Sequence, residues 1–190
     1  MRNFIGHLKN IFTHKWWVFY YACKLGIPWQ GITHDLSKFS WKELKESIKY
    51  YQGNKSPIPI AKNENGYSEA WQHHKGVNKH HYEYWIDNRD NLIVLIPIPY
   101  KYVLEMIADW LGAFRTYRGY ENLKEEYDWW IESKKNYKLM NSFTKMFITI
   151  MLQHFMGKDN LDTNDIFIQR IKYTYEVCLK QKIEYINIDG

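Results

Sequence analysis

An all-α fold of about seven to eight helices in a single domain, residues 1 to 190, is what this sequence predicts. Three observations carry it. Apolar residues recur at helical spacing along most of the chain. Capping and stop residues punctuate those runs. The one β-branched stretch, residues 91 to 98, runs into Pro97 and Pro99 and has no partner strand in view, so it reads as an extended connector.

The elements follow in order. Residues 3 to 25 place Phe4, Leu8, Ile11, Phe12, Phe19 and Cys23 on a helical repeat, and Gly26-Ile27-Pro28 stops it. Thr33 is the expected N-cap of a helical turn carrying His34-Asp35, with Lys38 one turn beyond His34. Ser40-Trp41-Lys42-Glu43 has the form of a capping box for a helix to about residue 52. Residues 53 to 67, with Pro57, Pro59 and Gly66, read as a long loop suited to a lid or pocket wall. Ser68 caps a helix to about residue 75, Gly76 breaks it, and residues 80 to 86 start a short one. Strong helices are expected at about 100 to 117, 121 to 134, 141 to 156 and 165 to 186. No repeat or linker divides the chain.

At 190 residues the chain is long enough to bury a core without disulfides. Cys23 and Cys178 are far apart and form no C-x-x-C pair, which suits a reducing cytoplasm. No apolar run approaches a membrane span and the start lacks signal-peptide features, so a soluble protein with no membrane partner is expected. The net charge of +5 suits an anionic partner such as a nucleotide, although lysines dispersed along helices give the same total. Nucleic acid is disfavoured: no helix confines Lys and Arg to one face, and no zinc-finger or RNP-type motif is present. Nine Trp and sixteen Tyr exceed what a small core needs and suit a pocket or a homodimer contact.

Histidine placement carries the chemistry. Seven of eight histidines lie in the first 81 residues, five of them in Thr33-His34-Asp35-Leu36-Ser37-Lys38 and His73-His74-Lys75-Gly76-Val77-Asn78-Lys79-His80-His81. Imidazole is the commonest ligand for divalent transition metals, and an adjacent carboxylate supplies an oxygen donor. His14 shares an inward stripe with Ile11 on the first helix, while Asp109 interrupts an apolar helix, with Glu105 one turn before it. A carboxylate buried there needs a cation or a metal. Neighbouring histidines on a helix diverge by about 100°, so only part of each His-His pair can face one centre. His154, alone on an apolar helix, reads as a core histidine.

The order His14, His34-Asp35, histidine cluster, Asp109 resembles the HD superfamily of metal-dependent phosphohydrolases. His34-Asp35-Leu36-Ser37-Lys38 is also similar to the His-Asp-Ile-Gly-Lys of its two-metal cyclic-dinucleotide phosphodiesterases. More closely, the segment from His14 to Gly119 resembles a family of short bacterial and phage proteins classed as a domain of unknown function. The match rests on Lys15-Trp16, His34 to Ser40, Ser56-Pro57-Ile58-Pro59, Ala70-Trp71-Gln72-His73-His74, Asn78 to Trp85 and Glu105 to Ala113. Lys79 departs from a frequent Pro and Phe114 from a common Gly.

The resemblance implies an HD-like helical bundle, its motifs at 14 to 119, with residues 120 to 190 completing the core. It further implies one or two divalent ions, of Mn, Fe, Co, Ni or Zn, held by His14, His34, Asp35, Asp109 and part of His73, His74 and His81. Asp35 would bridge a pair. Asp35 and Lys38 would be catalytic, with Lys38, Lys75, Asn78 and His80 binding a small anionic substrate, a phosphate ester such as a nucleotide or cyclic nucleotide. Two alternatives stand beside this hydrolase: an HD-like di-iron oxygenase, and a non-catalytic metal- or nucleotide-binding protein.

Overall fold

The structure, a computed structural model, describes residues 2–53 and 55–187. Nine α-helices are present among them: α1 (Arg2–Lys24), α2 (Pro28–Thr33), α3 (Trp41–Lys49), α4 (Pro57–Asn65), α5 (Glu69–Val77), α6 (Tyr100–Arg118), α7 (Leu123–Ser133), α8 (Ser142–Lys158) and α9 (Ile166–Cys178). Short 3-10 turns at Leu36–Phe39 and Tyr82–Trp85 join several of them.

α6 is the axis. It buries Val103, Leu104, Met106, Ile107, Ala108 and Leu111, and Gly119 ends it at φ 84° in the left-handed region that glycine tolerates. α1 lies along it through Val18, Tyr21 and Ala22, with Leu25 just past its end in the same core. The crossing is close because Gly112 has no side chain: a Cβ there would sit 2.6 Å from Val18 Cγ2 and 3.0 Å from its backbone nitrogen. On the far side α7, α8 and α9 contribute Trp130, Ile148, Met151, Phe155, Ile168 and Tyr175 to the same core. Their polar atoms are satisfied locally, Trp130 Nε1 donating to Thr149 Oγ1 at 2.8 Å and the Tyr175 hydroxyl to the Ile98 carbonyl at 2.7 Å.

Four local expectations are corrected. The 53 to 67 loop contains α4, because Pro57 and Pro59 fall in its first turn, where backbone N–H groups have no intrahelical acceptor to lose. The connector at 91 to 98 contains a strand. β1 (Ile86–Arg89) and β2 (Leu92–Leu95) form an antiparallel hairpin turning at Asp90, φ 53°, and β3 (Glu184–Asn187) pairs with the other edge of β2. That third strand comes from what the sequence reads as the end of the last helix, so α9 is shorter than expected. Finally, Thr33 ends a helix instead of capping one. His34 is extended and Asp35 is left-handed at φ 53°, so the pair occupies a kink between α2 and the turn at Leu36–Phe39.

Candidate metal centre

The kink aims His34 and Asp35 at the groove between α1 and α6. Lys15 of α1 fastens it, its Nζ donating to the carbonyls of Ile32 at 2.6 Å and His34 at 2.8 Å. His14 enters from α1, Asp109 and Glu105 from successive turns of α6, His74 from α5, and His80 and His81 from the segment after α5.

Two groups of donor atoms result. His14, His34, Asp35 and Asp109 each present one ligand atom within 4.8 Å of the others. So do Asp35, His74, His80 and His81, so Asp35 belongs to both groups. The separations inside them are 3.0 Å from His14 Nε2 to Asp109 Oδ1, and 3.1, 3.3 and 3.5 Å from Asp35 oxygens to Nε2 of His34, His74 and His80. Yet both ring nitrogens of His14, both oxygens of Asp35 and Nε2 of His80 and His81 are buried without a well-formed hydrogen bond. Donor atoms grouped this closely in a buried site, with hydrogen-bonding capacity left over, could hold a cation. The donor set, imidazole nitrogen with carboxylate oxygen, fits a divalent transition metal.

A further layer of carboxylates orients the rings. Oε1 of Glu105 stands 3.2 Å from Nδ1 of His34 and 3.2 Å from Nδ1 of His80. Glu43 holds His74 Nδ1 at 2.9 Å with one oxygen and His73 Nδ1 at 2.8 Å with the other. For His34, His74 and His80, Nδ1 faces a carboxylate and Nε2 is left facing Asp35, the arrangement that fixes the tautomer of a metal-binding histidine. Glu105, His34 and His80 also each present one donor atom within 4.8 Å of the others. We assign Glu105 to the supporting layer because it faces the nitrogens directed away from Asp35.

Charge follows geometry. Burial pushes Asp35 upward, but His34, Lys38 and His74 outweigh it and hold its carboxyl well below the usual range. Asp109 is likewise held well below, burial being overcome by His14 and His34. Burial depresses His14, and burial with neighbouring His80 and His74 drives His81 far down, keeping both rings neutral and able to donate a lone pair.

The groups lie at the wall of a cleft of about 340 Å³, the size of a small-ligand pocket. Lys38 reaches it with its amine 2.6 Å from Asp35 Oδ2. Trp71, Trp110, Tyr117 and Tyr137 supply aromatic surface, and His7 lines it with a pKa lowered to about 4 by burial and by Lys38.

A family model described as a family of unknown function (DUF5662) matches residues 3–154. The chain belongs to this family. The matched span contains every residue of both DUF5662 donor groups and ends inside α8. No curated protein and no solved structure matches.

Of the site residues expected from the sequence of this DUF5662 protein, His14, His34, Asp35, His74, His81 and Asp109 converge as described. His80, expected to meet substrate, stands among the donors instead. His73, expected as a ligand, lies outside both groups, since Glu43 draws its ring away. Asn78 is turned from the cleft, its amide donating to Ser37 Oγ at 2.8 Å and to the His74 carbonyl at 2.9 Å, and Lys75 does not line the wall. The sequence reading missed the roles of Glu43 and Glu105. The sequence makes Glu43 half of a capping box, but Ser40 makes no side-chain cap and Glu43 serves the histidines. Glu105 carried a readable signal: it sits four residues before Asp109, on the same helix face.

Proposed function

We propose that this protein is an HD-like metal-dependent phosphohydrolase acting on a small phosphate ester, a nucleotide or cyclic nucleotide. The observation that carries the reading is the sharing of Asp35 between two donor groups at the wall of one cleft. One ion would take His14, His34, Asp35 and Asp109; a second would take Asp35, His74, His80 and His81. When bound, such ions supply a water of lowered pKa and positive charge for phosphoryl oxygens.

The chain's own groups complete the chemistry. Lys38, half-buried and kept cationic by Asp35, places a positive charge at the cleft wall for a phosphate oxygen. Glu105 and Glu43 hold three imidazoles with Nε2 inward, so no ring has to reorient during turnover. Trp71 and Trp110 line the cleft with aromatic surface against which a base can pack while water is displaced.

The test is hydrolysis by metal-reconstituted protein of a panel of phosphate monoesters and diesters, including cyclic nucleotides. Activity that requires added Mn, Fe, Co, Ni or Zn and is lost in Asp35→Asn supports the reading. Full metal loading with no phosphate release from any ester defeats it. A di-iron oxygenase is the second reading, favoured by the three imidazoles of the second group. Oxygen uptake by the Fe(II)-loaded protein separates the two.

A further inference from the structure

Away from the cleft, the N-terminal part of the chain combines two features. The whole formal charge excess lies in residues 2 to 42: Arg2, Lys9, Lys15, Lys24, Lys38 and Lys42 against Asp35 alone give +5, the value for all 190 residues. Asp35 is buried, so no exposed carboxylate lies on α1, α2 or the turn that follows. The same segment carries unusual exposed apolar surface. Trp16 is 62% exposed, Trp29 68% and Trp41 71%, with Ile5, Phe12 and Leu36 beside them in the same class.

On α1, helical spacing sets Ile5, Lys9, Phe12 and Trp16 on one side, and α2 and the turn that follows it pack beside that helix. α2 is pressed against α1 at Gly31, where a Cβ would lie 2.7 Å from that of Ala22, and Lys15 bonds the carbonyls of Ile32 and His34. The ring of Phe12 on α1 meets Phe39 of the turn at 5.5 Å, and Trp41 follows two residues later. Lys9 on α1 and Lys42, next to Trp41, are exposed.

We propose that this face docks on the surface of an anionic lipid bilayer. Tryptophan favours the boundary between headgroups and acyl chains, aliphatic residues beside it enter the acyl edge, and lysines are drawn to anionic headgroups. A second copy of the chain fits poorly, since pairing like faces brings two charge excesses of one sign together. A nucleic acid would use the rings and the lysines but gains nothing from Ile5, Ile32 and Leu36, which cannot stack on bases. No helix among the described residues is long and apolar enough to cross a membrane. The sequence expectation of no membrane partner rests on the lack of a spanning run and of signal-peptide features, and a surface-lying face needs neither.

The experiment is co-sedimentation of the full chain with vesicles of pure phosphatidylcholine and of phosphatidylcholine with one-third phosphatidylglycerol, alongside tryptophan emission. The expected result is a blue shift and at least about tenfold stronger partitioning to the anionic vesicles, weakened by 0.5 M salt. Trp29→Ser with Trp41→Ser, and separately Lys9→Glu with Lys42→Glu, are each expected to reduce binding while the metal content stays that of the parent. Indifference to anionic lipid in the parent chain overturns the proposal. So does loss of a dimer in light scattering, or of RNA affinity, as the only effect of those variants.

Discussion

Replacing Glu105 with glutamine tests the centre through a residue that would touch neither ion. One oxygen, Oε1, stands 3.2 Å from Nδ1 of both His34 and His80, and those two rings belong to different donor groups. Glutamine has the same shape but carries no charge, and its amide offers one acceptor and one donor. At most one orientation serves the two N–H groups, and neither hydrogen bond keeps its charge assistance. Loss of such a supporting partner costs about 10–100-fold in metal affinity, or about 1.4–2.7 kcal/mol per site. Because Glu105 supports a ring on each side of Asp35, both sites are expected to weaken together. Calorimetric titration of chelator-stripped protein with Co(II), fitted to two sites, measures this, and circular dichroism checks that the helices persist. Parent-like affinity at both sites would refute the supporting role; weakening of one alone would refute the shared oxygen.

Other consequences are open to simple measurements. Asp35→Asn is expected to abolish tight binding of both ions, read as metal per chain after gel filtration, whereas Lys38→Met keeps the metal and lowers phosphate release by about 10²-fold or more. Chelation is expected to lower the melting temperature, since an ion present at about 1,000 times its dissociation constant adds about 4 kcal/mol. Glu126 is buried, its Oε1 has no partner, and burial raises its pKa from 4.5 to about 7. The folded state therefore holds a proton between those values that the unfolded chain has released, so this stabilisation is present below about 4.5 and lost as pH rises to about 7. Glu126→Gln is expected to gain about 3 kcal/mol over the parent in urea melts at pH 8 and almost nothing at pH 4. Gly112→Ala forces a methyl to within 2.6 Å of Val18 Cγ2, and is expected to cost about 1–3 kcal/mol in the same melts.

How much of this was legible differs by element. α6 was readable almost to the residue, because Val103, Ile107 and Leu111 mark its buried face and Gly119 its end. Most of the clustered donor residues were readable from the concentration of histidine in two short segments, one carrying His34-Asp35. The supporting layer was less so. Glu43 belongs to two competing patterns, a local cap and a distant histidine, and spacing cannot show that the distant partner wins. His34-Asp35 was read as helical because Thr33 is a good cap. Its actual kink depends on Lys15 reaching across from α1, a tertiary contact without local trace. The strand at Leu92–Leu95 was discounted for the same kind of reason. Its second partner lies at the opposite end of the chain, where Glu184–Asn187 continue a helical-looking run.

That pairing has a consequence for how the chain is made. Leu92 meets Asn187 and Leu95 meets Glu184, so the hairpin leaves the ribosome roughly 90 residues ahead of the strand that covers it. At about 5–20 residues per second, one edge of β2 stays open for roughly 5–20 s of synthesis. Asn141, whose amide clasps the carbonyls of Leu95 and Lys182, arrives before the last strand and waits half-satisfied. Nascent chains stalled in that interval would present a ready template to one another, which makes slow translation of the final segment a hazard for this protein's yield.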